Sequence, residues 1–296
     1  MFPLYAQFRN TRNHGIQHMF MGDPLSDGCD KTTVEPGNQF SPGIWSCGIS
    51  VWVQTNEGIY CPDIMDVDKI EWNLDPQCMP VIFSRYRAGN VYVENRLTHL
   101  GMEGSGGVDY CAVKLSAEKP QNLQIYLVVK DIGPSGGKIH TLNWDKEQQC
   151  LTVNNSIVLL SETSPKSVEL IEADDNYDSF MAVLMYEVSL GASKLAEILF
   201  RVAHGFKDTF FTEEIPRSKR YDAITVSQGF QLACDEWEKS FPAKLMCGDT
   251  RLVAAWENSI YHILSAMELG LPRIGAVNYK SHRGRNRFAR INNNSC

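Results

Sequence analysis

The sequence predicts a mainly β protein, an antiparallel β-sandwich followed by a linking helix and one strong amphipathic helix. Three observations lead there. From about residue 40 to 190 the chain is a succession of short, apolar, strand-like runs. Turn formers separate these runs and no helical stretch intervenes, the pattern of an antiparallel sandwich rather than a doubly wound sheet. Beyond Pro216 the apolar period changes from two towards that of a helix.

Taking the elements in order, Ile44 to Val53 (IWSCGISVWV) places Trp45, Cys47, Ile49, Val51 and Val53 on one side at period two. Met79 to Phe83, Val91 to Leu97, Tyr110 to Leu115, Leu123 to Val129, Leu151 to Leu160 and Phe180 to Val188 read as further strands. Between them stand Pro42-Gly43, Ala88-Gly89-Asn90, and the glycine-rich runs 101–107 and 133–137. Lys194 to His204 fits a short helix or a final buried strand equally well. Ser218 to Ser240 reads as the linking helix, loosely spaced at Ile224, Gln228, Leu232 and Trp237, with Gly229 weakening its middle.

The last helix is better formed. Asp249 or Thr250 caps its start, and Gly270 with Pro272 stops it. Leu252, Trp256, Ile260, Ile263 and Met267 make an apolar stripe that needs something to pack against. Arg251, Asn258, His262 and Ser265 lie opposite, with Glu257 and Tyr261 flanking, as a polar face. Glu257 would serve as a general acid only with a second carboxylate across a cleft, and the sequence offers no convincing one. The expected organisation is a sandwich over 1–215, a linking helix over 216–248, the start of a helical domain over 249–279, and a basic tail over 280–296.

Composition narrows the class. With 296 residues, 43% apolar and 10% aromatic, the chain has ample material for a core and does not read as disordered. A net charge of −7 argues against nucleic acid or an anionic membrane as the main partner. The start, MFPLYAQFRNTRNHG, lacks a secretory pattern, and no run approaches a membrane span. A cytoplasmic protein follows as the expectation. Its nine cysteines, with no Cys-x-x-Cys pair, then read as reduced thiols acting as small hydrophobes.

Few motifs suggest chemistry. Gly133-Pro-Ser-Gly-Gly-Lys138 departs from a phosphate loop at Ile132 and Ile139, and a strand rather than a helix follows it, so it reads as a hairpin turn. The 101–107 run lacks dinucleotide spacing. Asp63, Asp66 and Asp68 fit no calcium loop, and His14 with His18 lack a third ligand. No metal, cofactor or catalytic residue is expected. The exception to this blandness is VIFSRYRAGNVYVENR. There Arg85, Arg87 and Tyr92, with Tyr86 and Arg96, would offer guanidinium and aromatic groups to a sugar from one sheet face. The same face serves as well for cross-strand ion pairs to Glu94.

The phrases IWSCGISVWV, RYRAGNVYVENRLTHLG and AWENSIYH resemble the amino-terminal part of six-hairpin glycosidases, of the bacterial glucoamylase and glycogen-debranching type. The resemblance spans roughly residues 40–279. It implies a supersandwich leading into an (α/α)6 toroid that hydrolyses α-glucosidic bonds with two carboxylates. In such toroids the loop after the first helix carries an aromatic, an Arg and an Asp that hold the sugar. Here that place is taken by KSHRGRNRFARINNNSC, which has no Arg-Asp pair. The family's acid and base lie further along the toroid, so no catalytic residue carries over. The expectation is a chain cut short at Tyr279–Lys280, an inactive α-glucan hydrolase fragment whose exposed last helix favours self-association. The alternative is a stand-alone, non-catalytic β-sandwich module for carbohydrate binding or interaction, which would bind an α-glucan or oligosaccharide without cleaving it.

Overall fold

The computed structural model describes residues 18–22, 31–43, 46–101, 107–131, 137–175, 177–192, 194–204, 224–240, 245–268 and 271–272. Ile44, Trp45 and His14 lie outside these residues, as do most of both glycine-rich runs and the basic tail. The strands in chain order are β1 (Met19–Met21), β2 (Thr32–Glu35), β3 (Gln39–Ser41), β4 (Gly48–Thr55), β5 (Gly58–Tyr60), β6 (Glu71–Leu74), β7 (Ile82–Ala88) and β8 (Val91–Gly101). They continue with β9 (Gly107–Ala117), β10 (Gln121–Lys130), β11 (Leu142–Asp145), β12 (Cys150–Val153), β13 (Ile157–Ser161), β14 (Ser167–Ile171), β15 (Met181–Leu190) and β16 (Leu195–His204). Two helices follow, α1 (Val226–Ser240) and α2 (Thr250–Ser265).

The mainly β sandwich expected from the sequence is the fold found. The first sheet runs β1-β2-β3-β4-β10-β15-β14, with β5 paired to β4. The second runs β11-β12-β13-β16-β9-β8-β7-β6. Each pairing in both is antiparallel. Alternate residues of facing strands close the core: Ile49, Val51, Val53, Ile125, Leu127, Leu184 and Tyr186 from one sheet meet Val93, Leu97, Val113, Leu115, Leu159, Ile198 and Phe200 from the other. Fully burying side chains of this kind stabilises by about 1.5–3 kcal/mol each.

Lys194 to His204 resolves as strand because β16 pairs on both sides, with β9 and with β13. The run Leu151 to Leu160 is two strands rather than one. Asn154 and Asn155 take left-handed φ values of 50° and 53° and reverse the chain between β12 and β13, a conformation Asn tolerates better than most residues. At the β7–β8 hairpin Gly89 has φ 58° and stands where a Cβ would come within 2.6 Å of the Glu57 carboxylate.

The linking helix begins later than its polarity suggests, and the cause is a capping box. Thr225 Oγ1 accepts from Gln228 N at 3.3 Å, and Gln228 Oε1 accepts from Thr225 N at 2.9 Å. Glu162 adds a carboxylate at the same end, accepting from Val226 N at 2.9 Å and from Arg201 Nη1 at 2.5 Å. The helix lies on the outer face of the second sheet, where Val226 and Phe230 pack with Leu100, Val108, Tyr110 and Ala203.

Gly229 is therefore no weak point. A Cβ there would stand 2.4 Å from the ring of Tyr110, which is fully buried, so glycine is what lets helix and sheet approach. Gly229→Ala gains about 1 kcal/mol in helix propensity and overpacks the contact by about 1–3 kcal/mol. The expected net is a lower denaturant midpoint. A rise in the midpoint would show that the contact gives way freely.

One expectation needs correction. Cys78 and Cys234 are joined by a disulfide that ties the loop before β7 to α1, so the cysteines are not all reduced. Such bonds persist in oxidising compartments. Of the others, Cys47, Cys61, Cys111 and Cys150 are buried as small hydrophobes, and burial pushes the Cys47 thiol up to about 12.

The last helix keeps apolar surface exposed. Asp249 caps it, accepting from Arg251 N at 3.0 Å. Ile260 and Met267 of the apolar stripe are half-buried, and its other three residues stay outside. Leu252, Trp256 and Ile263 are 55%, 40% and 57% exposed, while Tyr261 and Ser265 are buried. Tyr261 reaches the Phe20 carbonyl at 3.0 Å and its ring lies 5.5 Å from that of Trp237. Lys31 Nζ donates to the Ser265 carbonyl at 2.6 Å. Directional bonds to β1 and its neighbour thus choose the docked face, and most of the apolar stripe stays outside. No described helix is long and apolar enough to cross a membrane.

Candidate functional site

Strand alternation sends Phe83, Arg85 and Arg87 of β7 to the outer face of the second sheet. Register places Arg85 opposite Glu94 and Arg87 opposite Tyr92 on β8, and Glu71 of β6 opposite Arg85. These strands form the floor of a cleft of about 500 Å³. Asp75, Pro76 and Gln77 line it from the loop after β6, and Ala254 and Asn258 from α2.

The polar groups are arranged as arginine–carboxylate pairs. Arg85 Nε donates to Glu94 Oε2 at 2.6 Å, and its Nη1 lies 3.5 Å from Glu71 Oε1. This is the cross-strand pairing that the sequence offered as the alternative to sugar binding. Glu94 holds the Arg85 guanidinium above its usual range. Arg96 Nη2 donates to Asp75 Oδ2 at 2.6 Å, leaving its buried Nε without a partner. Each guanidinium also meets a ring: Arg85 lies 4.2 Å above Phe83, and Arg96 lies 5.6 Å above Phe230. Planar, pre-positioned guanidinium groups of this kind suit bidentate contacts to oxygen.

Of the residues expected to contact a sugar, Arg85 and Arg96 line this cleft. Arg87 and Tyr92 sit on the same face, one step nearer the β7–β8 turn, and Tyr92 is 37% exposed. Tyr86 has the opposite parity and is buried in the core. Asp75, the partner of Arg96, and the lining residue Asn258 left no signal in the sequence because they lie outside the β7–β8 hairpin. Glu257 lines a smaller cavity of about 100 Å³ beside Glu238, Gln77 and the disulfide.

The acidic motif separates, and of the two histidines His18 alone is among the described residues. Asp63 is buried against Lys130 at 2.9 Å, whereas Asp66 caps a short turn by accepting from Asp68 N. His18 pairs with Glu35 at 2.8 Å.

Another cluster went unread in the sequence. His99 Nδ1 lies 2.8 Å from Asp109 Oδ1, and His204 Nε2 lies 3.2 Å from Asp109 Oδ2. Thr32 Oγ1 donates to Asp109 Oδ2 at 2.6 Å and is 3.1 Å from His204 Nε2. Burial by itself would raise the Asp109 carboxyl. The two imidazoles, His204 foremost, overcome that and hold it well below the usual carboxylate range.

No protein-family model and no curated protein matches the chain. Among solved structures it is similar to a candidate kojibiose phosphorylase from the human microbiome, at 10% identity and a TM-score of 0.38. That match covers 81% of this chain and 35% of the other. A heparinase III matches at 10% identity and a TM-score of 0.38, over 64% of this chain and 36% of the other. The heparan sulfate lyase HepC from Pedobacter heparinus matches at 10% identity and a TM-score of 0.35, over 52% of this chain and 24% of the other. The chain thus spans between about a quarter and a little over a third of the length of these structures. Scores of this size assign no function.

Proposed function

We propose that this chain is the sandwich portion of a glycoside hydrolase-like protein acting on α-glucans, and that its own part is to bind glycan rather than cleave it. The observation that carries the reading is the cleft in front of Arg85 and Arg96. It is large enough for one or two sugar rings, since small-ligand sites run from roughly 300 Å³ upward. Its guanidinium and carboxylate groups are held in place by one another, ready to meet hydroxyls without a large ordering cost. The phrases over residues 40–279 that resemble glucoamylase and glycogen-debranching proteins supply the α-glucan. The division into a sandwich over 1–215, a linker over 216–248 and a helical start over 249–279 belongs to the same proposal. So does a contact of Arg87 and Tyr92 with a longer oligosaccharide running along the sheet.

Titration calorimetry with maltooligosaccharides, and with a heparan-type glycan for contrast, tests this. Binding of the neutral α-glucan is expected, weakened roughly tenfold or more by Arg85→Ala, with no release of reducing sugar. Arg87→Ala and Tyr92→Ala are expected to weaken only longer oligomers. Binding of the sulfated glycan alone would replace the α-glucan, and no heat with either would overturn the reading.

A further inference from the structure

We infer that His99, Asp109 and His204 form a binding site for a divalent transition-metal ion of the zinc class, with Thr32 beside it. Three strands of the second sheet bring the ligands together. His99 of β8 is register-paired with Asp109 of β9, and His204 of β16 falls on the other side of Asp109, pairing with Gly107. Their candidate ligand atoms all lie within 4.8 Å of one another.

The spacing suits an ion. Metal–ligand bonds of about 2.0–2.1 Å to imidazole and carboxylate put neighbouring ligand atoms about 3 Å apart. The carboxylate–imidazole separations here are 2.8 and 3.2 Å. The backbone makes room for the arrangement. A Cβ on Gly107 would come within 2.1 Å of the His99 ring, so a side chain there would expel the imidazole.

Charge points the same way. Asp109 is fully buried, and its hydrogen-bond and ion-pair partners are two imidazoles and a hydroxyl. A buried carboxylate needs a compensating positive charge. A divalent ion held between it and the two imidazoles would provide one, using their lone pairs. Two nitrogens and a carboxylate are a borderline donor set, which favours zinc-class ions over calcium or magnesium, whose preference is for oxygen.

Thr32 gives the site a structural role. It belongs to β2 of the first sheet, whereas the other three belong to the second. An ion held here would fasten one sheet to the other at the end where Tyr261 docks against β1.

The test uses the full chain, stripped with a chelator and titrated with Zn²⁺, and with Co²⁺ as a spectroscopic probe. One equivalent of Zn²⁺ per chain is expected, with a thermal midpoint that rises by several degrees and falls back on chelation. Bound Co²⁺ should show d–d bands without the charge-transfer absorption of a thiolate ligand. His99→Gln and His204→Gln, which keep an amide in place of each imidazole, should abolish stoichiometric uptake of both ions. A folded wild-type chain that takes up neither ion would overturn the site. So would equal uptake by the double variant, or a cobalt spectrum dominated by thiolate ligation. Should the variants fail to fold, the wild-type cobalt spectrum decides.

Discussion

Replacing Asp63 by alanine is expected to lower the stability of the protein by about 3–5 kcal/mol. Asp63 and Lys130 form a 2.9 Å ion pair whose side chains are both almost wholly buried, on the outer face of the first sheet beside Trp52. Removing the carboxylate leaves the Lys130 ammonium buried without that counter-charge, and desolvation of a charge that has lost this partner dominates the cost. The pair itself need not be a net gain over hydrophobes. Asp63→Leu combined with Lys130→Met should therefore recover much of the loss, because both charges leave together. Urea midpoints of the two single variants and the double give the answer. A single variant within 1 kcal/mol of the wild type, by the scale of exposed pairs, would show the site to be wetter than its burial indicates.

The disulfide carries the other large effect. Cys78 and Cys234 are 156 positions apart, so the bond closes a long loop in the unfolded chain. Replacing both by serine is expected to cost about 2–5 kcal/mol. The loss should appear first as fraying of α1, since the bond joins that helix to the loop bearing Gln77 and Pro76. Hydrogen exchange along α1, measured with and without reductant, separates local release from global loss. Because Gln77 and Pro76 also line the cleft, glycan affinity should fall with reduction. If exchange in α1 is identical in both forms, the helix is held by Tyr110 and its capping box alone.

The parts of this fold that follow a period were legible in the sequence. Alternation at Ile49, Val51 and Val53, or at Leu123, Ile125 and Leu127, marks a strand whatever its neighbours are. Hairpin chemistry was legible at Ala88-Gly89-Asn90 but was overlooked at Asn154-Asn155, where two asparagines do the work of glycine. On the last helix the sequence shows the apolar stripe but not the face that docks. An apolar stripe is a general drive towards burial, but the docked face was selected by Tyr261, Ser265 and Lys31, whose bonds depend on distant strands.

The sites were less legible than the fold. Arg85 and Glu94 are nine positions apart and meet across one hairpin, so sequence could find them. Phe83 and Arg96 were within reach of the same argument. Asp75 and Asn258 were not, because no local rule brings a loop after β6 against α2. The histidine cluster spans three strands, and His204 joins it only through the β9–β16 pairing. Only the His99–Asp109 half, symmetric in sequence about the glycine-rich run 101–107, left a readable trace.

The position of β16 sets an order of assembly. The strands β6 to β9 form a continuous meander, and β11 to β13 form another, yet the two meet only through β16. On a ribosome, the first two hundred residues would emerge as two half-sheets with open edges, each able to pair with a neighbouring chain. The arrival of β16 closes both edges in one step. Its last residue, His204, completes the cluster around Asp109 at that same moment.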